Sequence, residues 1–315
     1  MRALVAGGAG FLGSHLCDYL LARGDEVVAV DDLTTGSPDN VAQHAQNPAF
    51  SLVFADVSKE LPLEGRFDAV LNLASPASPP AYLARPLETL AVGSEGTRRL
   101  LEKAHADGAR FLMASTSEVY GDPLVHPQVE SYRGNVDPHG PRSVYDEAKR
   151  FSEALTMAYK TKLDANVAIV RIFNTYGPRL SPGDGRVVSN FIVQALRGES
   201  LTVYGDGSQT RSLCYVADEV RGLVALLDSS ETGPVNIGNP DERTVLDLAE
   251  RVIAMTGSSS QITFHPLPTD DPTRRCPDIT LARKELGWEP EISFEQGIGL
   301  TVEYFASLQE KGNHA

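Results

Sequence analysis

The sequence predicts an α/β fold, a doubly wound parallel sheet followed by a smaller C-terminal lobe. Three observations carry this. Short, continuous apolar runs alternate with longer helical stretches through the first half, the pattern of strands covered on both faces. A glycine-rich turn joins the first run to the first helix. After Phe173 the alternation loosens, and Gly and Pro cluster at Gly177-Pro178 and from Ser181 to Gly185.

In chain order, strands are expected at Arg2 to Ala6, Glu26 to Val30, Ser51 to Phe54, Ala69 to Leu73, Arg110 to Ala114 and Asn166 to Ile172. Helices are expected at Ser14 to Arg23, Leu87 to Asp107 and Ser143 to Lys162. Residues 1–174 then form the first unit and 175–315 the second. Residues 212–228, with helical spacing from Asp218 to Leu227, are expected to return to the first. The polar stretch Gln309 to Ala315 is expected to fray.

A chain of 315 residues suffices for one large α/β unit or two domains of about 150 residues. With 28 basic and 42 acidic residues the net charge is −14, which argues against nucleic acid or anionic membrane as partner. A small anionic substrate is compatible, because a few local arginines can hold a phosphate. Cys17, Cys214 and Cys276 form no close-spaced pair, so neither a disulfide framework nor a metal site is expected. The chain enters an apolar strand at once, without a basic leader, and no apolar run approaches the roughly 20 residues that span a bilayer. A cytoplasmic protein is the expectation.

Val5 to Gly13 reads VAGGAGFLG. Gly7 permits the tight turn, Gly10 lets backbone approach a pyrophosphate, and Gly13 lets helix and strand pack closely. The helix that starts beside Phe11 and Leu12 offers free N–H groups and a partial positive charge to an anion. Asp31 ends the second strand at about the 20-residue distance expected of a ribose-binding acid. Such an acid repels a 2′-phosphate, so the expected cofactor is NAD. Asp32, Thr35 and Gly36 follow Asp31, Asp56 and Val57 follow the third strand, and Leu73, Ala74 and Ser75 end the fourth. All are expected on the cofactor side. Spacing alone leaves Asp56 open between an adenine contact and a solvated turn acid.

Tyr145 and Lys149 stand four apart, hence on one helix face. A tyrosine is a poor base near neutral pH, with an ordinary pKa of about 10. A neighbouring ammonium is expected to lower it. The pair can then accept a proton from a hydroxyl while hydride leaves for the cofactor, and Lys149 can also hold the nicotinamide ribose. Thr116, at the end of the preceding strand, can hydrogen-bond the same hydroxyl. Alone, a YxxxK spacing is usually an ordinary helix face, and a threonine there an ordinary turn hydroxyl.

Together, the glycine turn, the Ser/Thr after the later strand and YxxxK resemble the extended short-chain dehydrogenase/reductase family, Rossmann-fold proteins that retain NAD as a redox catalyst on nucleotide sugars. Within it, SPASPP (Ser75 to Pro80), STSEVYGDP (Ser115 to Pro123), GNVDPHGPR (Gly134 to Arg142), RIFNTYGPR (Arg171 to Arg179), DGRVVSNF (Asp184 to Phe191) and LTVYGDGSQTR (Leu201 to Arg211) are similar to the branch that decarboxylates UDP-glucuronate. The resemblance covers nearly the whole chain. It implies oxidation at C4 of the sugar, loss of CO2 from the resulting β-keto acid, protonation at C5 and re-reduction at C4. It gives Glu118 the place of a carboxylate near C5, and Arg275 that of an arginine for the substrate carboxylate or the protonation step. It places Asn174, Arg186 and Arg211 near the pyrophosphate, and Tyr204 and Gln209 near the uridine. Pro79, Tyr82, Val187 and Asn190 are further candidates for substrate contact. It also implies a homodimer through the two long helices.

The chain departs from that branch at Ala148, where glycine is common, at Leu180 to Gly183, and at Cys276, where lysine is frequent. A sugar-nucleotide 4-epimerase would share NAD, Tyr145 and Lys149 but needs no acid at Glu118. A 4,6-dehydratase needs an Asp-Glu pair after the threonine, and Ser117 occupies the first of those positions. Release of a 4-keto pentose without reduction is a further outcome the sequence leaves open. A non-catalytic NAD-binding scaffold fits poorly with an intact Thr116, Tyr145 and Lys149.

Overall fold

The computed structural model describes residues 1–59, 61–267 and 274–313. The first half runs β1 (Arg2–Ala6), α1 (Phe11–Ala22), β2 (Glu26–Asp31), β3 (Phe50–Phe54), β4 (Ala69–Asn72), α2 (Pro79–Ala84), α3 (Pro86–Ala91), α4 (Thr97–Asp107), β5 (Arg110–Thr116), α5 (Ser143–Leu163) and β6 (Val167–Ile172). It continues with β7 (Thr175–Tyr176), α6 (Val187–Leu196), β8 (Leu201–Tyr204), β9 (Thr210–Ser212), β10 (Cys214–Tyr215), α7 (Val216–Asp228) and β11 (Val235–Ile237). The last elements are β12 (Glu242–Thr244), α8 (Val245–Thr256), β13 (Ile262–His265), α9 (Thr280–Leu286) and α10 (Phe294–Asn313).

Seven parallel strands form the main sheet in the order β11-β6-β5-β4-β1-β2-β3. This is the doubly wound α/β fold that the alternating pattern predicts. The order reverses at β1, which pairs with β2 on one side and β4 on the other. Ligands of such sheets bind at that switch, beyond the carboxyl ends of the strands.

Alternation within each strand divides the core between two layers. Ala3, Val5, Val27, Ala29, Leu71 and Leu112 face Leu16, Cys17 and Leu20 of α1 and Leu223 of α7. Leu4, Val28, Val30, Val70, Phe111 and Ile169 face Leu100, Leu101 and Ala104 of α4. Both faces of the sheet are apolar, which is why its strands read as unbroken hydrophobic runs.

The structure differs from the sequence reading at five places. α1 begins at Phe11, because Gly10 already has extended backbone at the cap. The helix expected over Leu87 to Asp107 is interrupted by a π-helical turn, Val92–Gly96. There α5 crosses closely: a Cβ on Gly93 would lie 2.7 Å from Ala148 Cβ, so the small Gly93 leaves the room that the Ala148 methyl fills. α2 starts at two prolines where no helix was expected, although proline suits the first turn of a helix. Next, β11 adds a seventh strand beside β6. Its three residues are too short for periodicity to reveal. At the C-terminus α10 continues through the polar stretch to Asn313, and residues 314–315 lie outside the described ones.

Candidate active site

A cleft of about 1110 Å³ lies over the carboxyl ends of the strands. At one end its floor is the glycine turn. Gly7 has φ +79°, and a Cβ there would lie 2.9 Å from Ala74 N; a Cβ on Gly13 would lie 2.0 Å from Gly7 O. Both contacts are with backbone, so neither residue tolerates a side chain without moving the turn. The N-terminus of α1 has no side-chain cap, and Gly10, Phe11, Leu12 and Gly13 line the cleft. Unclaimed N–H groups at a helix start suit a phosphate.

Asp31 lines the same end, buried, and accepts hydrogen bonds from Ala9 N (3.0 Å) and Leu33 N (2.9 Å). Burial raises its pKa above the ordinary carboxylate value, against those two hydrogen bonds. Asp32, Thr35, Gly36, Asp56, Val57, Leu73, Ala74 and Ser75 also line this end. Asp32 accepts from Thr34 N and Oγ1, and Asp56 from Ser58 N and Oγ. The cradle, the uncapped helix and the buried acid at the end of β2 fit a dinucleotide.

The other end is made of side chains. β5 delivers Thr116, the 3-10 turn Ser117–Tyr120 delivers Glu118, and α5 delivers Tyr145 and Lys149; all four line the cleft. The Thr116 hydroxyl accepts from Glu118 N at 3.2 Å and acts to lower the Tyr145 pKa. Lys149 Nζ donates to the Ala114 carbonyl at 2.9 Å and lies 5.9 Å from the Tyr145 ring centre. The Tyr82 ring stacks on Tyr145, centroids 5.1 Å apart and planes 4° from parallel.

The electrostatics correct one expectation. Tyr145 is not pulled down by Lys149. Burial first, and the Glu118 charge second, push its phenol well above its ordinary value, opposed by Thr116 and Arg186. Lys149 itself is pushed down to about 8 by burial. Its ammonium is spent on the Ala114 carbonyl in a buried setting rather than aimed at the phenol.

Two residues that sequence reasoning passed over complete the cluster. Arg142, at the cap of α5, grips Glu118 through Nη2 at 2.7 Å from Oε1 and 2.8 Å from Oε2. Arg275, buried, places Nη1 at 3.2 Å from Oε1. Burial opposes the Glu118 charge, but the Arg275 and Arg142 charges and the Arg142 hydrogen bonds outweigh it and hold the carboxyl well below its usual range. Asp146, next to Tyr145, is buried against the same group. A lone arginine before a helix and an acid inside a YDExK run carry no spacing signal, so only the fold reveals them.

On the far wall Asn174 and Arg186 line the cleft. Arg186 is chelated by Asp184, Nε to Oδ1 at 2.5 Å and Nη2 to Oδ2 at 2.9 Å. Burial works against its charge, yet Asp184, Tyr145 and Glu118 raise its pKa. The remaining candidates are not among the lining residues: Pro79 and Tyr82 on α2, Val187 and Asn190 on α6, Tyr204 on β8, Gln209, Arg211 on β9, and Arg275. Asn190 Nδ2 donates to Gly185 O and Gln209 Nε2 to Tyr204 O. Tyr204 is half exposed, beside His265.

Away from the cleft, His126, Glu242 and Cys276 bring ligand-type atoms within 4.8 Å of one another, an arrangement that cysteine spacing does not show. Each has a protein partner: His126 Nε2 lies 2.8 Å from Glu242 Oε2, Glu242 Oε1 accepts from Thr210, and the Cys276 thiol lies 3.5 Å from Pro240 O.

The doubly wound sheet, the glycine cradle at its switch point and the Thr–Tyr–Lys group beside it define a class. The chain belongs to the NAD dependent epimerase/dehydratase family, whose model matches residues 3–238. Among its relatives, UDP-glucuronic acid decarboxylase 2 of Arabidopsis thaliana is 52% identical over 305 residues, 97% of this chain and 68% of that protein. UDP-glucuronic acid decarboxylase 1 of Danio rerio is 50% identical over 314 residues, 99% of this chain and 75% of that protein. The solved UDP-glucose 4-epimerase of Thermotoga maritima, with UDP-glucose, superposes with a TM-score of 0.90 at 31% identity, covering 98% of this chain and all of that one.

Proposed function

We propose that the protein is an NAD-dependent UDP-glucuronate decarboxylase that forms UDP-xylose. The observation that carries this beyond family membership is Glu118, held as a carboxylate by Arg142 and Arg275 beside Tyr145. Redox at C4 alone needs no such group. The names of the two relatives point the same way.

Gly7, Gly10, Gly13 and the start of α1 would hold the NAD pyrophosphate, and Asp31 its ribose. When bound, NAD supplies the acceptor and later donor of a hydride at C4, together with a positive charge near the nicotinamide. Tyr145 holds the C4 hydroxyl with Thr116 and takes its proton. Lys149, on the same helix face, holds the neighbouring ribose. A C4 ketone stands β to the C5 carboxylate, so CO2 leaves with its bonding electrons passing into an enolate. Tyr145 and Thr116 are placed to stabilise that oxyanion by hydrogen bonds. Glu118 orders the proton delivery to C5, and Tyr145 returns its proton as C4 is reduced.

Arg186 and Asn174 are assigned to the diphosphate, where the guanidinium fork suits phosphate oxygens. Arg275 acts through Glu118, since it grips that carboxylate. Arg211, Tyr204 and Gln209 are assigned to the nucleotide beyond the cleft wall. The proposal includes two lobes, 1–174 with 212–228 and 175–315.

A homodimer is part of this reading. Leu87 and Leu90 on α3 and Phe151 and Met157 on α5 are exposed, and apolar area on two neighbouring helices suits a second copy. So is a cytoplasmic location: the three cysteines are free and buried. Among the described residues no helix is long and apolar enough to cross a membrane.

The deciding experiment is incubation with NAD and UDP-glucuronate followed by NMR. CO2 and UDP-xylose are expected. A C4 epimer formed without CO2 would overturn the reading.

A further inference from the structure

Conversion of a glucuronate carboxylate to CO2 and a pentose consumes one proton, because the C5–C bond is replaced by C5–H. The proton that Tyr145 takes from the C4 hydroxyl returns to that oxygen on reduction and cannot supply it. The site therefore needs a second acid, and Asp146 is a buried titratable group that the mechanism above leaves unused.

Asp146 lies in the first turn of α5 and is 6% exposed. Its carboxyl contacts Glu118 at hydrogen-bonding range. Its Oδ1 is buried and receives no hydrogen bond from the described residues. Ionised carboxylates only accept hydrogen bonds, so one of the two must carry a proton for them to bond. The arginines decide which one. Arg142 and Arg275 both make their short contacts to Glu118, which keeps that group anionic and leaves the proton on Asp146. Burial and the adjacent Glu118 charge raise the Asp146 carboxyl far above its ordinary value, against Arg142 and Arg275. Tyr82 from α2 and Tyr145 from α5 also face this charge cluster. Tyr82 is a neutral phenol, and Tyr145 is one too once it has taken the C4 hydroxyl proton, so neither takes the Asp146 proton away.

We propose that Asp146 is the proton reservoir of the site, passing its proton through Glu118 to C5 after CO2 has left. This rests on the decarboxylase reading. The Asp146 O–H bond breaks as a Glu118 O–H bond forms. Glu118, directly or through one water, then gives that proton to the enolate, whose electron pair becomes the C5–H bond. Asp146 is left as a carboxylate and is recharged from solvent. Asp146 is thus a positioning and relay residue that reaches the substrate only through Glu118.

Asp146→Asn keeps the shape and a hydrogen-bond donor toward Glu118 but has no transferable proton. In a single turnover, with NAD-loaded protein in excess over UDP-glucuronate, CO2 release by this variant is expected to stay within about threefold of wild type. The fraction of decarboxylated sugar recovered as UDP-xylose should fall about 10- to 100-fold, within the usual range for removing a general acid; the enolate then leaves unreduced and takes its C5 proton from solvent, giving UDP-4-keto-pentose and one equivalent of NADH. In wild type that fraction should fall as pH rises through the Asp146 titration; in Asp146→Asn it should be flat. Asp146→Glu should partly restore it. A wild-type product ratio in Asp146→Asn overturns the proposal, as does a parallel loss of CO2 and UDP-xylose, which marks a purely structural residue. Infrared difference spectra test the stored proton without turnover: wild type should show a protonated carboxyl band at pH 7 that Asp146→Asn lacks. Its presence in both overturns the assignment. Absence of CO2 from wild type, with the band present, would instead sink the decarboxylase reading.

Discussion

At the β1–β2 end of the cleft the floor is backbone. Gly7, Gly13, the start of α1 and the turn after β4 meet through main-chain atoms within one continuous run and its immediate neighbours. At the β5–α5 end the wall is side chains. Glu118, Arg142, Asp146 and Arg275 converge from a turn, a helix cap, a helix and a segment more than 120 residues away. The first end offers fixed dipoles to a ligand whose shape varies little. The second balances four charged or ionisable groups in a buried space, where moving one proton changes the chemistry. A common cofactor suits the first construction, and a particular reaction the second.

Four substitutions probe this contrast. Tyr145→Phe removes one hydroxyl from the side-chain end. Turnover should fall by about 10²- to 10⁴-fold, the range for a lost general base, while NAD content and thermal stability stay near wild type. Near-normal turnover would take Tyr145 out of the mechanism.

Gly13→Ala attacks the backbone end. Its Cβ would lie 2.0 Å from the Gly7 carbonyl oxygen, so the turn must shift, at a cost of about 1–3 kcal/mol. The variant should lose NAD on gel filtration and melt lower, although every chemical group at the other end is intact. Full NAD retention would show that the turn is not held by that contact.

Lys149→Met should raise stability while abolishing turnover. Burial depresses the folded Lys149 pKa to about 8 from 10.5. Below pH 8 both states are protonated and the folded state bears the full desolvation penalty. Between pH 8 and 10.5 the folded protein sheds the proton first, and the penalty fades. The variant should therefore be about 1–2 kcal/mol more stable near pH 7, an advantage that shrinks toward pH 10.5. Equal stability at pH 7, measured in urea, would mean that the Ala114 hydrogen bond offsets the burial.

Tyr82→Phe should matter least. Its hydroxyl is buried without a hydrogen-bond partner among the described residues, so its removal should change stability by less than about 1 kcal/mol and keep the stack on Tyr145. A fall in turnover with unchanged melting would reveal a substrate contact for that hydroxyl.

Some of this was legible in the sequence because it is local. Strands buried on both faces must be continuously apolar, which exposed six of the seven. The glycine turn encodes its own geometry, since Gly7 and Gly13 are where a Cβ would strike backbone. Tyr145 and Lys149 share a face by helical spacing alone. Glu118 and Arg275 could be singled out only through resemblance, because an isolated acid or arginine has no periodicity.

The rest was decided by tertiary structure. β11 is three residues long and earns its place only by pairing with β6. The π-helical turn at Val92–Gly96 exists where Ala148 presses on Gly93. Lys149 was expected to lower the Tyr145 pKa, but burial depends on what closes over a residue, and here it raises the phenol and depresses the amine. Tyr204, Gln209 and Arg211 lie outside the cleft lining although their segment suggested a ligand. The pairing of Asp146 with Glu118 is the clearest case. Sequence supplies two acids 28 positions apart, and only their burial side by side under two arginines decides that one stays charged and the other keeps its proton.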